Sequence, residues 1–206
     1  MGWSDDLFYP VMINLENKNI TVIGGGNVAL RKITKLLEYN LKVKVVSPFF
    51  VDGFDLLKEK LEIITDEFKE EYIKDSFLVI AATSSKTVNN GILVYCNKNN
   101  ILCNIVDNYK MSDFIIPSSI KRGSLVISVS TEGKSPSLSS NIIRQLENKY
   151  TEKYDCHVEL LGQIRELVLR KCEDKNRRKT ILNEIISLNI EELEKRRMYY
   201  ENCSRI

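Results

Sequence analysis

The chain has 206 residues, enough for one good core and a smaller appendage, with the apolar and charged fractions of an ordinary soluble globular protein. Its net charge of +2 at pH 7 gives no nucleic-acid signature, and no apolar run approaches the roughly 20 residues that span a bilayer. Nucleic-acid and membrane partners are therefore not expected, and any partner has to be argued from a site.

The start, Met1–Asp6, lacks the basic then apolar layout of a signal peptide, so a cytoplasmic protein is expected. The cysteines are Cys96, Cys103, Cys156, Cys172 and Cys203. None forms a C-x-x-C pair and their number is odd, so they read as structural thiols rather than a zinc or redox site. His157 is the only histidine, which makes a multi-His metal site within one chain impossible, and no metal ligands are expected.

In chain order, residues 8–15 read as an extended lead-in containing Pro10, and residues 16–19 as a turn. Ile20–Ile23 is the first predicted strand. Three glycines follow, and then a helix from Asn27 to Tyr39 whose Leu30, Ile33, Leu36 and Leu37 recur at helical spacing. Asn40 suits its end. Gly24, Gly26 and Ala29 fit G-x-G-x-x-A, a dinucleotide-binding fingerprint. Gly24 allows the tight turn off the strand, Gly26 lets a pyrophosphate approach the backbone, and Ala29 lets the helix lie close on its strand. Asn27 and Val28 open the helix, where unpaired N–H groups and the positive dipole end meet. Gly24, Gly26, Asn27 and Val28 are thus candidate cofactor contacts; the alternative is a tight turn that binds nothing.

Val43–Ser47 is the second predicted strand, ended by Pro48. The acidic residue expected about 20 positions past the glycines to hold ribose hydroxyls is missing. Val46, Ser47 and Pro48 stand there, and the first carboxylate is Asp52. Ser47 is the candidate for the ribose, and the lack of a nearby Arg for a 2′-phosphate favours NAD. A short helix over 51–60, a strand over 61–65 and a short helical stretch over 68–73 follow. The continuous apolar run 77–82 suits a strand buried on both faces. Thr83, at its carboxyl end, is a further cofactor candidate or a helix cap. A helix over 86–99, with Val88, Ile92 and Tyr95 inward, and a strand over 101–106 ending at Asp107 complete an alternation that predicts an α/β, Rossmann-like, doubly wound parallel sheet.

After Asp107 the pattern changes. Strands over 114–120 and 124–130, separated by residues 121–123, predict an antiparallel hairpin. A polar loop leads into a helix from Pro136 to Tyr150, with Pro136 favourable at its start. From Thr151 the remainder is helical: Leu160, Ile164, Leu167 and Val168 form one stripe, Ile181, Leu182, Ile185 and Ile186 another, and Asn189 with Glu192 fits a capping box. Three parts are expected: an NAD-binding domain over 1–112, a small α+β region over 113–150, and a helical C-terminal domain over 151–206.

Six segments, 22–32, 80–83, 88–89, 103–107, 114–118 and 133–137, in this order and spacing closely resemble the precorrin-2 dehydrogenase family, which includes the N-terminal module of siroheme synthases. The likeness covers about residues 8–150. It implies NAD-dependent oxidation of precorrin-2 to sirohydrochlorin on the route to siroheme or cobalamin, in a homodimer joined through the region 113–150. Some members also insert iron, so a bifunctional dehydrogenase and ferrochelatase is an alternative, and a non-catalytic NAD-sensing module is a second. The family's key aspartate maps onto Asp107, as a base or a substrate-positioning group, and its loop hydroxyl onto Thr131. A polycarboxylate substrate calls for cations and hydroxyls, for which Arg122, Lys134 and Ser135 are candidates beside Thr131. Residues 151–206 are left with three possible roles: covering the macrocycle, completing the dimer, or docking another enzyme of the pathway. The chain ends at Ile206 without a methyltransferase module, so methylation is expected from another protein.

Overall fold

The computed structural model describes residues 8–206, so Met1–Asp6, read above for a leader, lies outside it. The chain divides into two compact units, one reaching to Ile116 and the other Pro117–Ile206.

The first unit is a five-stranded, all-parallel sheet. Its strands are β1 (Ile20–Ile23), β2 (Val43–Ser47), β3 (Leu61–Thr65), β4 (Leu78–Ala81) and β5 (Leu102–Ile105), in the order β3-β2-β1-β4-β5. The direction of winding reverses between β1 and β4, which pair directly, Ile23 beside Ala81. β1 and β4 are buried at every residue, as their unbroken apolar runs require. Side chains alternate between two apolar layers. On one face Val79, Ala81, Cys103 and Ile105 meet Ile92, Leu93 and Cys96 of α2 (Lys86–Asn99). On the other, Ile20, Val22, Val43, Val45 and Ile80 meet Ala29 and Ile33 of α1 (Asn27–Leu37).

Four predicted elements differ in detail. The 51–60 stretch is a 3-10 segment, Asp52–Lys60, anchored by the buried Phe54. The 68–73 stretch holds only the 3-10 turn Glu70–Tyr72, because Lys69 is extended and Phe68 and Tyr72 pack separately on the core. The strand expected over 114–120 occupies Ser118–Arg122 instead. Pro117 has no N–H for a ladder, and the Phe114 carbonyl accepts from Asn104 Nδ2 at 2.9 Å, so Phe114 and Ile116 lie along the first unit's sheet as an irregular strip. Ile186 is exposed rather than part of its stripe, since the helix tightens into a 3-10 turn at Ile185–Ser187.

In the second unit β6 (Ser118–Arg122) and β7 (Leu125–Val129) form the antiparallel hairpin, turning at Gly123 and Ser124. α3 (Pro136–Lys149) packs on this hairpin. α4 (Lys153–Lys171), α5 (Lys175–Glu184) and α6 (Ile190–Asn202) enclose a core of Leu160, Ile164, Val168, Ile181, Ile185, Leu193 and Tyr200. The capping box of Asn189 and Glu192 is formed. At the far end of α6, Lys171 Nζ donates to the carbonyls of Tyr200, Glu201 and Cys203 at 2.6–3.0 Å.

Candidate active site

The turn after β1 is built so that only glycines fit its first two positions. Gly24 has φ +128°, and a Cβ there would collide with the Ala82 carbonyl at the end of β4. A Cβ on Gly25 would collide with the Phe49 carbonyl and approach the Phe50 ring and Ser47 Oγ. Gly24 N–H donates to Val46 and Val51 N–H donates to the Gly25 carbonyl, both at 2.9 Å, so the turn is stitched to the end of β2. Gly26 is different: a Cβ there would meet no heavy atom within 4 Å. It is the N-cap of α1, no side chain caps that end, and the first turn carries no acidic residue. The residues present therefore fit a pyrophosphate: open space, free backbone donors and an uncompensated positive dipole end coincide. Asn27 and Val28, exposed on that first turn, stand beside the same opening.

The second group lies at the carboxyl ends of β4 and β5. Asn89 of α2 is 1% exposed and ties two sequence-predicted residues together. Its Oδ1 accepts from Thr83 N–H at 3.2 Å and from Thr83 Oγ1 at 2.7 Å. Its Nδ2 donates to the Thr83 carbonyl at 3.1 Å and to Asp107 Oδ1 at 3.4 Å. The Asp107 side chain is exposed, held from one side by this amide. Of the two readings left for Thr83, helix cap is not the one seen, because Ser85 caps α2. In the sequence Asn89 stands only within the segment 88–89, and its bracing role depends on how α2 lies over the ends of both strands. Ser47 is buried and donates Oγ–H to the Phe49 carbonyl at 2.8 Å, bracing the loop that closes on Gly25. Asp52 opens the 3-10 segment on the surface.

In the second unit Thr131, Lys134 and Ser135 share one tight loop. Thr131 Oγ1 lies 3.2 Å from Ser139 Oγ and accepts from Ser135 N–H at 3.0 Å. Ser135 caps α3 by accepting from Leu138 N–H. Lys134 is exposed, 3.8 Å from Glu132. Arg122 stands apart at the hairpin, donating from Nε to the Tyr150 carbonyl at 3.0 Å and pairing with Glu152 at 3.3 Å. All five cysteines are free thiols, and among the described residues no group of three or more His, Cys, Asp or Glu is placed to hold a metal ion. No helix among them is long and apolar enough to cross a membrane.

Residues 11–118, just over half of the chain, match the model of a family described as "Putative NAD(P)-binding". The chain is 33% identical to a siroheme synthase of Pseudoalteromonas translucida over 166 residues, 80% of this chain and 35% of that protein. It is 35% identical to a siroheme synthase of Photobacterium profundum over 142 residues, 68% of this chain and 30% of that one. A solved structure named "SirC, precorrin-2 dehydrogenase" superposes with TM-score 0.76 at 28% identity, covering 95% of this chain and all of that one. The chain belongs to the precorrin-2 dehydrogenase and siroheme-synthase N-terminal module family. It spans about a third of the length of the curated siroheme synthases it matches. Within this family the chain has a Rossmann-type architecture, and its open glycine turn suits a nicotinamide dinucleotide.

Proposed function

We propose that the chain oxidises precorrin-2 to sirohydrochlorin with NAD⁺, releasing NADH and a proton. The observation that carries this reading is the Asp107 carboxylate held by Asn89 at the end of β5, in the same unit as the unfilled, uncapped turn at Gly26. The nicotinamide, when bound, supplies the hydride acceptor. Gly26, Asn27 and Val28 bind the pyrophosphate with backbone N–H groups, and Gly24, whose own N–H is held by the Val46 carbonyl, makes the turn that opens toward it. Ser47 and Thr83 border the ribose halves of the cofactor. Asp107 takes the proton that leaves the macrocycle as its hydride departs, and Asn89 keeps the carboxylate oriented for that transfer. The missing carboxylate after β2 and the lack of an arginine there favour NAD over NADP.

In the second unit Thr131, Ser135, Lys134 and Arg122 are proposed as contacts to the substrate's carboxylates. The two-stranded β6–β7 sheet supports a homodimer through residues 113–150, since so small a sheet has free edges that a second copy can cover. The test is anaerobic incubation of the protein with enzymatically generated precorrin-2 and NAD⁺, followed by Fe²⁺ or Co²⁺. Formation of NADH and sirohydrochlorin, with no metal insertion above the uncatalysed rate, is expected. NAD⁺ binding without any oxidation would overturn the proposal, and catalysed metal insertion would add the second activity.

A further inference from the structure

β5 is an edge strand of the sheet, so alternate backbone groups along it face away from β4. Leu102 and Val106 donate toward the β4 side, to the Phe77 and Ala81 carbonyls at 3.2 and 3.1 Å, which turns Cys103 and Ile105 to the open edge. Two residues that return after the loop 106–111 close that edge. Asp113 takes Cys103: its carboxylate accepts from the Cys103 N–H at 2.8 Å, and its own N–H donates to the Cys103 carbonyl at 2.9 Å. Ser112 takes Ile105: its Oγ accepts from the Ile105 N–H at 2.9 Å and lies 3.4 Å from the Ile105 carbonyl.

Ser112 does more than close the edge. It is 8% exposed, and its hydroxyl also reaches into the loop, 3.4 Å from the Asn108 carbonyl. Asn104 Nδ2 stands 3.5 Å from the same oxygen. A serine hydroxyl has two lone pairs and one proton. Here the lone pairs take the Ile105 N–H and the Asn104 amide, and the proton is shared between the Ile105 and Asn108 carbonyls. Asp107 sits in the chain between those two carbonyls. Just before it the last sheet bond runs from Val106 to Ala81, and just after it Ser112 holds Asn108. The Asp107 carboxylate is exposed, and Asn89 reaches it with a long bond of 3.4 Å. Its direction therefore depends on how firmly the backbone beneath it is held.

We propose that Ser112 is a positioning residue: by joining Ile105 to Asn108 it fixes the backbone of Asp107 and so aims that carboxylate at the macrocycle. This rests on the reading of Asp107 as the proton acceptor of a precorrin-2 dehydrogenase. A displacement of about 1 Å in a reacting group can cost on the order of 10²-fold in rate, so loosening this loop reaches turnover while the carboxylate itself is still present.

Ser112→Ala and Asp113→Ala, each in the full chain and assayed below its melting transition, test this. Each leaves one buried N–H of β5 unpaired, that of Ile105 or of Cys103, so both melt lower than wild type. Ser112→Ala alone releases the Asp107 loop. It lowers kcat for precorrin-2 by about tenfold or more, with KM and NAD⁺ affinity within about twofold, whereas Asp113→Ala keeps kcat within about threefold. In the Asp107→Asn background Ser112→Ala costs less than about twofold further, because the group it serves is gone. An unchanged kcat, an equal fall in Asp113→Ala, or the same loss with and without the Asp107 carboxylate overturns the proposal. Relaxation of ¹⁵N-labelled protein needs no turnover: the backbone order parameters of Asp107 and Asn108 are about 0.85 in the wild type and fall toward about 0.6 in Ser112→Ala. If the wild type makes no NADH from precorrin-2, the enzyme reading falls separately. The order parameters then decide for Ser112: that fall upholds the positioning of Asp107, and unchanged values overturn it.

Discussion

The starts of two helices show how differently the two units use their polar groups. α3 begins at Ser135, whose hydroxyl caps the helix, with Pro136 next. α1 begins at Gly26, with no capping side chain, no acidic residue in the first turn and open space in front. The second unit spends its polar groups on itself: Thr131 on Ser139 and Ser135, Arg122 on Tyr150 and Glu152, Lys171 on the end of α6. The first unit keeps some unspent at the carboxyl edge of its sheet: the α1 N–H groups and the Asp107 carboxylate beyond its bond to Asn89. Local rules that are broken in one unit and obeyed in the other separate a site from a scaffold.

The sharpest way to break that contrast is Asp107→Asn. With the carboxylate gone, proton removal loses its acceptor, and turnover of precorrin-2 falls about 10²–10⁴-fold while the chain folds and binds NAD⁺ normally. Anaerobic NADH formation measures it. A loss of less than about threefold would move Asp107 to the scaffold side. The Asn89 brace gives a related comparison. Asn89→Ala leaves the Thr83 N–H and carbonyl without their partner and lowers stability by about 2–4 kcal/mol, read by urea unfolding, as well as slowing turnover.

Next in size are the glycines. Gly25→Ala forces a Cβ into the Phe49 carbonyl and destabilises the chain by about 2–3 kcal/mol. Gly26→Ala meets no protein atom, so it melts within a few degrees of wild type, the cost being that of a poorer N-cap, about 1 kcal/mol. Its effect appears as weaker NAD⁺ binding by calorimetry. Equal NAD⁺ affinity in Gly26→Ala would remove the pyrophosphate from that opening.

Much of this contrast was legible in the residues alone. The apolar runs of β1, β2 and β4, the glycine fingerprint and the exact span of α2 carry their own signals, because buried parallel strands are unbroken and amphipathic helices are periodic. Phe114–Pro117 deceived for the same reason: an apolar, β-branched run looks like a strand, and only the Asn104 amide that claims the Phe114 carbonyl shows otherwise. Asn89 was out of reach in a different way. Its importance lies in partners at the ends of two strands, and that leaves no pattern along the chain.

A smaller effect sharpens the scaffold side. Ser135→Ala removes the α3 cap and lowers stability by about 1 kcal/mol, seen as a drop in Tm. If the hydroxyl also meets substrate, KM for precorrin-2 rises as well, and Ser135→Asp restores the cap while repelling a carboxylate. A Tm effect with no KM effect leaves Ser135 wholly structural.

The smallest prediction concerns pH and a group that plainly belongs to the scaffold. Asp66 accepts from Lys69 Nζ and from Tyr72 Oη, each at 2.5 Å, which bends the chain after β3 into the 3-10 turn. Those two donors, Lys69 first, hold its carboxyl at a pKa of about 2, below the ordinary 3.8. A carboxyl depressed on folding stabilises the folded chain above its unfolded pKa, and that stability disappears as pH falls from 3.8 through about 2. Asp66→Asn therefore melts below wild type at pH 7, and the two melting curves draw together as pH falls toward 2. Because Asp66 is only half-buried and Lys69 is exposed, water screens the pair and the difference stays small. The same pH series leaves the ratio of the two proteins' NAD⁺ affinities flat, since the partners of the Asp66 carboxylate, Glu67, Lys69 and Tyr72, lie outside the glycine turn. A ratio that moved with Asp66 would mean that the end of β3 feeds into the cofactor site through the Asp66 N–H bond to the Ser47 carbonyl at 3.2 Å.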